Sequence, residues 1–240
     1  MTCTLILLPG MDGTGEFFAP LTEALGAHIP TKIVRYPDLP LDYREHEEFA
    51  RTQLPSDGAF VVLGESFSGP IAASLAAVPP PGMVGYVLCV SFVCCPRAAL
   101  KTLRPFIGLT TPNRMSSLVA QYLLMGGLGS KALEQALRKA LEGVSNPALR
   151  ARMRAVSDVD VRDHLKKVRI PGLYLRATRD RLIPKSAAEI FKRSVNNARV
   201  VEIEGPHMLL QTRATECAHE LQTFIQQLEP VGIPARGFCP

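Results

Sequence analysis

Short apolar runs alternate with amphipathic stretches along most of the chain. Apolar runs bounded by turn residues are typical of buried strands, and apolar positions spaced three and four apart are typical of helices. The pattern predicts six strands, at Thr4 to Leu8, Thr31 to Tyr36, Ala59 to Gly64, Tyr86 to Val93, Leu173 to Ala177 and Arg199 to Ile203. It predicts helices at Phe17 to Leu25, Tyr43 to Leu54, Ile71 to Ala77, Ala187 to Ser194 and Leu209 to Leu228.

The order of these elements indicates the fold class. Strands that alternate with helices form a mostly parallel central sheet, here of about six strands, with helices on both of its faces. The stretch 97–169 interrupts this order with helical patterns broken by prolines and glycines, which indicates an insertion. Residues 1–96 and 170–229 would then form the α/β core, and 230–240 a loose C-terminal tail rich in Pro and Gly.

Composition is typical of a globular domain. Of the 240 residues, 47% are hydrophobic and 20% are charged, which supplies enough apolar side chains for a full core. The six cysteines have no Cys-x-x-Cys spacing and no nearby histidine pair, so we expect reduced thiols and no metal site. A basic leader and an apolar run of membrane-spanning length are both missing from the pattern, so we expect a cytoplasmic protein without a transmembrane segment.

Positive charge is concentrated in the predicted insertion. Residues 97–169 have 14 Lys and Arg against 5 Asp and Glu, whereas the rest of the chain has 13 against 17. This basic segment could meet an acidic partner such as an acyl carrier protein, or it could be a solvated surface. The basic residues considered for that contact are Arg150, Arg152, Arg154, Arg162, Lys166, Lys167 and Arg169. Nucleic-acid binding is not expected, because the charge is accompanied by no binding motif.

A candidate nucleophile follows the third predicted strand. The segment from Gly64 to Gly69 joins a buried strand to a helix of small residues and has Ser66 at the turn. A serine at such a sharp strand-to-helix turn has its hydroxyl lifted clear of the sheet, as in a nucleophile elbow. Ser68 stands where the usual motif has its second glycine, and it is also small. Alternatively, either serine could simply cap the helix.

Two further candidates fall at the ends of later strands. Asp180 follows the fifth strand and His207 follows the sixth, and the carboxyl ends of parallel strands share one edge of the sheet. His207 could accept the Ser66 proton near neutral pH, and Asp180 could fix the imidazole tautomer. Taken alone, Asp180 could be a turn residue and His207 could be a loop histidine. Together, in the chain order serine, aspartate, histidine, they favour a catalytic triad.

An oxyanion intermediate would require two hydrogen-bond donors near Ser66. The backbone N–H of Phe67 lies at the start of the following helix and is one candidate. The glycine-rich loop from Gly10 to Gly15 follows the first strand, and we assign the second donor to the N–H of Met11 in this loop. The predicted site uses no cofactor.

Four segments together resemble the α/β-hydrolase superfamily of serine esterases. They are Leu-Pro-Gly-Met-Asp-Gly-Thr-Gly at 8–15, Gly-Glu-Ser-Phe-Ser-Gly-Pro at 64–70, Arg-Asp-Arg-Leu-Ile-Pro at 179–184 and Gly-Pro-His-Met-Leu-Leu-Gln at 205–211. The resemblance implies an α/β-hydrolase fold in which 97–169 forms a helical lid or cap. It also implies a carboxylesterase-like serine hydrolase that cleaves a small-molecule acyl ester, or a thioester, through an acyl-enzyme.

Three alternatives stay open at this point. The same scaffold could serve an acyltransferase, or a binding protein whose triad is idle. A dinucleotide-binding oxidoreductase is the least favoured, although Asp38 follows the second strand about where a ribose-binding acid would lie. The spacing Gly10-x-x-Gly13-x-Gly15 differs from Gly-x-Gly-x-x-Gly, and that function would leave the candidate triad unexplained.

Overall fold

A six-stranded parallel sheet forms the centre of the protein. The computed structural model describes residues 3–109, 119, 121–195 and 198–228. The strands are β1 Thr4–Leu8, β2 Thr31–Ile33, β3 Phe60–Glu65, β4 Met83–Cys89, β5 Gly172–Ala177 and β6 Ala198–Ile203. They are parallel and lie in the order β2-β1-β3-β4-β5-β6. The predicted α/β class with a parallel sheet of six strands is confirmed.

Two strands differ from the prediction by more than one residue. Strand β2 ends at Ile33 and not at Tyr36, because the Tyr36 N–H bonds to the Gly13 carbonyl in the glycine-rich loop, outside the sheet. Strand β4 ends at Cys89 and not at Val93. Val90 then has a positive φ of 45°, which turns the chain out of the extended conformation.

Helices cover both faces of the sheet. They are α1 Ala19–Leu25, α2 Tyr43–Thr52, α3 Gly69–Ala77, α4 Ala98–Leu103, α5 Lys131–Glu142, α6 Asn146–Asp158, α7 Arg162–Leu165, α8 Lys185–Ser194, α9 Leu209–Thr212 and α10 Ala214–Leu228. Tighter turns of 3-10 helix lie at Glu16–Phe18, Gly26–His28, Ser66–Ser68 and Arg104–Leu109, and a π-helical turn lies at Gln121–Met125. The single helix predicted from 209 to 228 is interrupted at Arg213, whose backbone is not helical.

The two faces of the sheet belong to separate hydrophobic cores. Leu5 and Leu7 of β1 pack with α1 and α10, whereas Ile6 and Leu8 pack in the core that contains α3 and α8. This alternation follows from the two-residue repeat of a strand, and all four leucine and isoleucine side chains are fully buried. A sheet covered on both sides holds its strand ends in fixed positions, and the functional groups of such sheets gather at the carboxyl ends.

The stretch between β4 and β5 contains α4 to α7. Met125 and Leu137 pack against Phe17 and Met208, which lie in the segments after β1 and β6. Ala155 and Val156 of α6 join the core on the face of the sheet that carries α3. These contacts place the segment beside the carboxyl ends of the strands, where a lid would lie, and its role as a lid stays a prediction. The predicted tail, 230–240, lies outside the described residues.

The described residues contain neither a membrane-spanning helix nor a metal-binding cluster, and their cysteines are reduced. Among these residues, no helix has both the length and the apolar character needed to cross a bilayer. The described cysteines, which are Cys3, Cys89, Cys94, Cys95 and Cys217, are all free thiols. Groups of three or more His, Cys, Asp or Glu side chains placed to hold a metal ion do not occur among the described residues.

Candidate active site

Ser66 lies at a tight turn between β3 and α3. Its φ is 46°, a conformation uncommon for any residue other than glycine. The turn has no room for larger neighbours, because a Cβ at Gly64 would collide with the Ser68 carbonyl and a Cβ at Gly69 would collide with the Ser91 hydroxyl. The Ser91 hydroxyl also donates to the Ser66 carbonyl. This is the strand–turn–helix geometry that exposes a side chain at the edge of the sheet.

Ser66, His207 and Asp180 form one chain of hydrogen bonds. The distance from Ser66 Oγ to His207 Nε2 is 2.9 Å, and that from His207 Nδ1 to Asp180 Oδ2 is 2.8 Å. The other carboxylate oxygen, Asp180 Oδ1, accepts from the N–H groups of Leu182 and Ile183 at 2.8 and 2.9 Å. The His207 and Asp180 side chains are only 7% and 4% exposed. With Nδ1–H donated to Asp180, Nε2 is free to accept the Ser66 proton.

The glycine-rich loop after β1 approaches Ser66 closely. A Cβ at Gly10 would lie 3.9 Å from Ser66 Cβ. Among the hydrogen bonds of the described residues, none has the Met11 N–H as its donor. Met11 and Ser66 line the same cavities, so the predicted oxyanion donor and the candidate nucleophile face a common space.

Ser68 links this loop to the turn that carries Ser66. Its hydroxyl donates to the Pro9 carbonyl and lies 2.7 Å from the Tyr36 hydroxyl, with both contacts buried. These bonds were not predicted from the sequence, in which Ser68 was only a small substitute for glycine. A hydroxyl in place of the motif's second glycine was the available signal, because a buried hydroxyl requires a partner.

Phe67, whose N–H is the other predicted oxyanion donor, is held by aromatic side chains. The Tyr43 ring stacks on Phe67 with centroids 4.7 Å apart, and its hydroxyl donates to the Phe67 carbonyl at 3.0 Å. His46 packs edge-on at 5.1 Å. Burial lowers the pKa of His46 to about 4, so this imidazole is neutral near pH 7 and packs as an aromatic ring. Residue Phe67 is therefore held by its carbonyl and by its side chain.

Two apolar cavities reach Ser66 and share Met11, Ser66, Met153 and Leu182 in their walls. The first, called here the His207 cavity, has a volume of about 510 Å³. Its other walls are Gly10, Asp12, Phe17, Glu65, Leu124, Leu137, Leu141, Leu149, His207, Met208 and Gln211. The second, called here the α4 cavity, has a volume of about 420 Å³. Its other walls are Phe67, Phe92, Pro96, Arg97, Leu100, Leu103, Phe106, Ile107, Val156 and Ile183.

Comparison with known proteins agrees with the fold. Residues 5–220 match the alpha/beta hydrolase family. The chain belongs to this family. The match runs from β1 into α10 and includes Ser66, Asp180 and His207. Resemblance to the α/β-hydrolase superfamily, predicted from four segments, is thus confirmed, and the oxidoreductase alternative is not supported.

Curated relatives of this α/β hydrolase include esterases. The pimeloyl-[acyl-carrier protein] methyl ester esterase of Xanthomonas campestris pv. campestris is 25% identical over 93% of this chain and 95% of its own length. The esterase of the same name from Aeromonas salmonicida is 25% identical over 76% of this chain and 79% of its own length. The prediction of a hydrolase that acts on ester bonds is confirmed at this level.

Solved structures share the fold of this α/β hydrolase. A lipase-esterase related protein from Clostridium acetobutylicum superposes with a TM-score of 0.78 at 20% identity, covering 92% of this chain and 93% of that one. A bromoperoxidase from Bacillus anthracis superposes with a TM-score of 0.77 at 17% identity, covering 94% and 92%. At these identities the likeness concerns the fold.

Arg152 of this α/β hydrolase is buried, so its assignment to an exposed basic surface is wrong. Only 1% of the residue is exposed. Its Nη1 donates to the carbonyls of Met11 and Asp12 at 3.0 and 2.8 Å, and its Nη2 donates to the Pro37 carbonyl at 3.1 Å. Desolvation lowers the pKa of this guanidinium, and the nearby Asp12 carboxylate opposes that effect. Arg152 ties α6 to the loop that carries the predicted oxyanion donor.

The rest of the basic segment is only partly available to a partner. Arg162 pairs with Asp160 at 2.5 Å, and Lys166 pairs with Asp163 at 2.7 Å. Exposed cations of this segment include Arg138, Lys139, Arg154, Lys167 and Arg169. The basic surface is therefore smaller than the count of charges indicates.

Asp38, the acid considered for ribose binding, accepts a hydrogen bond from the Ser145 N–H at 3.0 Å.

Glu65, the residue before Ser66, is a buried acid that sequence analysis missed. It is 8% exposed and lines the His207 cavity. Desolvation raises its pKa to about 7, although Gln211 Nε2 donates to its Oε1 at 2.9 Å and favours the charged form. The nearby Asp12 carboxylate contributes to this rise. An acid at the end of an otherwise apolar strand was the signal for a buried titratable group.

Proposed function

We propose that this α/β hydrolase cleaves carboxylic esters with Ser66 as the nucleophile, His207 as the general base and Asp180 as the group that orients His207. The observation that carries the proposal is the unbroken hydrogen-bond chain from Asp180 to Ser66, with distances of 2.8 and 2.9 Å. Ser66, the last residue of this hydrogen-bond chain, lines two apolar cavities that can hold an ester. The membership in the family and the esterase relatives support the same reaction class.

In the acylation step, His207 acts first as a general base and then as a general acid. His207 Nε2 takes the hydroxyl proton as Ser66 Oγ attacks the acyl carbon, which forms a tetrahedral intermediate. The N–H groups of Met11 and Phe67 stabilise the negative oxygen of that intermediate. As the ester bond breaks, His207 returns the proton to the leaving alkoxide, so that an alcohol departs and the acyl group stays on Ser66.

Deacylation repeats these roles with water as the nucleophile. His207 takes a proton from water, and the resulting hydroxide attacks the acyl carbon of the Ser66 ester. The second tetrahedral intermediate collapses, His207 returns the proton to Ser66 Oγ, and the carboxylic acid leaves. An alcohol in place of water would give acyl transfer, so the products formed with an alcohol present separate an esterase from an acyltransferase.

Labelling with a fluorophosphonate probe tests the assigned nucleophile and base. We expect the parent to gain one adduct by intact mass, Ser66→Ala to gain none and His207→Ala to react far more slowly. Ser186→Ala and His219→Ala are matched controls at exposed positions outside the site and should label like the parent. A parent that stays unlabelled while its circular dichroism is native would refute the proposal and favour a binding protein with an idle triad.

An acidic carrier protein is a second candidate for the partner that presents the ester. The curated relatives are named for acyl-carrier-protein substrates. Arg138 and Lys139 are exposed on α5, the helix whose Leu137 and Leu141 line the His207 cavity. Cations at this position would attract an acidic protein and would accelerate its binding at low salt.

Charge reversal distinguishes a carrier-linked substrate from a free ester. We expect Arg138→Glu/Lys139→Glu to lower kcat/KM several-fold for a carrier-linked ester at low salt and to leave a small free ester unchanged. Lys192→Glu/Arg193→Glu on α8 changes the charge equally at exposed positions and is the control. Equal rates for both double variants with the carrier-linked ester would exclude docking at this face.

A further inference from the structure

The chemistry at Ser66 assigns one cavity to the alcohol part of the ester and the other to its acyl part, which are called here the alcohol arm and the acyl arm. The leaving oxygen must receive its proton from His207 Nε2, so the alcohol arm begins beside His207. Of the two cavities, the one of 510 Å³ has His207 in its wall. The α4 cavity has Phe67 in its wall, and the Phe67 N–H faces the acyl oxygen in the proposed reaction. The acyl arm would therefore occupy the α4 cavity.

Both cavities are large enough for an extended arm. Their volumes, 510 and 420 Å³, lie in the range of roughly 300–1,000 Å³ that small-molecule sites occupy. The apolar walls of the His207 cavity include Phe17, Leu137, Leu141 and Met208. Each methylene buried against such walls strengthens binding by roughly fourfold. A methyl ester, whose alcohol arm is one carbon, would leave nearly the whole of this cavity unused.

The polar part of the His207 cavity argues against an anionic alcohol arm. Asp12 and Glu65 both line it, and both are buried, at 8% exposed each. The only other polar side chains in this wall are Ser66, His207 and Gln211, so among the described residues no lysine or arginine side chain lines the cavity. A carboxylate or phosphate on the alcohol arm would meet the Asp12 and Glu65 carboxyl groups in this wall, whereas the nearby Arg152 guanidinium lies outside the wall and already interacts with Asp12.

We propose that the preferred substrates are esters with two extended, uncharged arms, in which an apolar alcohol occupies the His207 cavity and an apolar acyl chain occupies the α4 cavity. The inference rests on the proposed roles of Ser66 and His207. It separates this chain from relatives that are named as methyl ester esterases, since a methyl ester fills one cavity only.

Two series of esters and one matched pair of variants test this assignment. One series keeps an ethyl alcohol and lengthens the acyl chain from acetyl to dodecanoyl, and the other keeps an acetyl group and lengthens the alcohol from methyl to dodecyl. Leu141→Trp narrows the His207 cavity and Leu100→Trp narrows the α4 cavity by the same change. Both leucines are half-buried, so neither substitution places the larger ring at a fully packed core position.

For the parent, we expect kcat/KM to rise with length in both series. Leu141→Trp should lower kcat/KM for long alcohols by about fifteenfold, because roughly two methylenes lose their burial, and should spare the acyl series. Leu100→Trp should have the opposite selectivity. A parent whose rate does not depend on alcohol length would overturn the assignment. It would also be overturned if Leu141→Trp impaired the acyl series and Leu100→Trp the alcohol series, or if both variants impaired the same series.

Labelling of Ser66 by the fluorophosphonate separates this inference from the proposed function. Chain-length results that contradict the assignment while the parent labels at Ser66 refute the two-arm inference and leave the triad intact. An unlabelled, folded parent refutes both. The length series of the parent needs no variant, so the test stands even if a tryptophan substitution prevents folding.

Discussion

Replacing Glu65 with glutamine should flatten the dependence of stability on pH between acid and neutral conditions. Burial raises the pKa of Glu65 from 4.5 to about 7 in the folded protein, and the unfolded chain keeps the ordinary value. Between these values the unfolded state has lost its proton and the folded state retains it, so rising pH favours unfolding. The destabilisation is absent well below the lower value and complete above the higher one.

The interval between the two pKa values gives the size of the effect. A tenfold difference in proton affinity corresponds to about 1.4 kcal/mol. From 4.5 to about 7, the parent should therefore lose about 3 kcal/mol of unfolding free energy relative to Glu65→Gln between about pH 4 and about pH 8. A glutamine Oε1 can still accept from Gln211 Nε2, so the variant keeps this hydrogen bond and removes the ionisable carboxyl of residue 65.

Urea unfolding followed by far-ultraviolet circular dichroism measures this difference, since the chain has no tryptophan to report by fluorescence. The parent and Glu65→Gln are compared at several pH values, with Glu189→Gln as the control at an exposed position. A free-energy difference between parent and Glu65→Gln that stays constant within about 0.5 kcal/mol across the range would refute the reasoning. It would mean that Glu65 ionises equally easily in both states.

Three further predictions concern the support of the site. Arg152→Ala should lower kcat by about 10-fold or more with little change in KM, because the Met11 and Asp12 carbonyls of the glycine-rich loop lose their partner. Steady-state kinetics measures this effect, and partial recovery of kcat in Arg152→Lys distinguishes positioning from general damage. Ser68→Ala should destabilise by about 1–3 kcal/mol in urea, because the buried Tyr36 hydroxyl loses its partner; an unchanged midpoint would refute this. Burial raises the pKa of the Cys89 and Cys217 thiols, so iodoacetamide should modify them only after unfolding, as peptide mass spectrometry would show; modification in the native protein would contradict it.

The candidate triad was predictable because its signals are local. Ser66, Asp180 and His207 each follow an apolar run that indicates a buried strand, and a parallel sheet brings such strand ends to one edge. Their chain order adds a second, independent constraint. The hydrogen bonds of 2.9 and 2.8 Å that join them follow from these two facts and from the tight turn at Ser66.

Element ends were less predictable where burial continues beyond a strand. The run from Tyr86 to Val93 is apolar throughout, but the strand within it ends at Cys89. Val90, Phe92 and Val93 remain buried, at 1%, 3% and 1% exposed, in a chain that has already turned. Hydrophobicity reports burial and not backbone direction, so the sequence could not distinguish the strand from the buried turn that follows it.

Arg152 was misassigned because its partners are distant in the chain. The carbonyls that it binds belong to Met11, Asp12 and Pro37, more than a hundred residues before it, and an arginine beside other arginines indicates a solvated surface. Its neighbours on α6 serve the same site, since Leu149 and Met153 line the His207 cavity. One helix therefore both shapes the space for the substrate and holds the loop that carries the predicted oxyanion donor. Substitutions on α6 that alter the preferred ester should for this reason also alter kcat, whereas those at Leu100 on α4 should alter the preference alone.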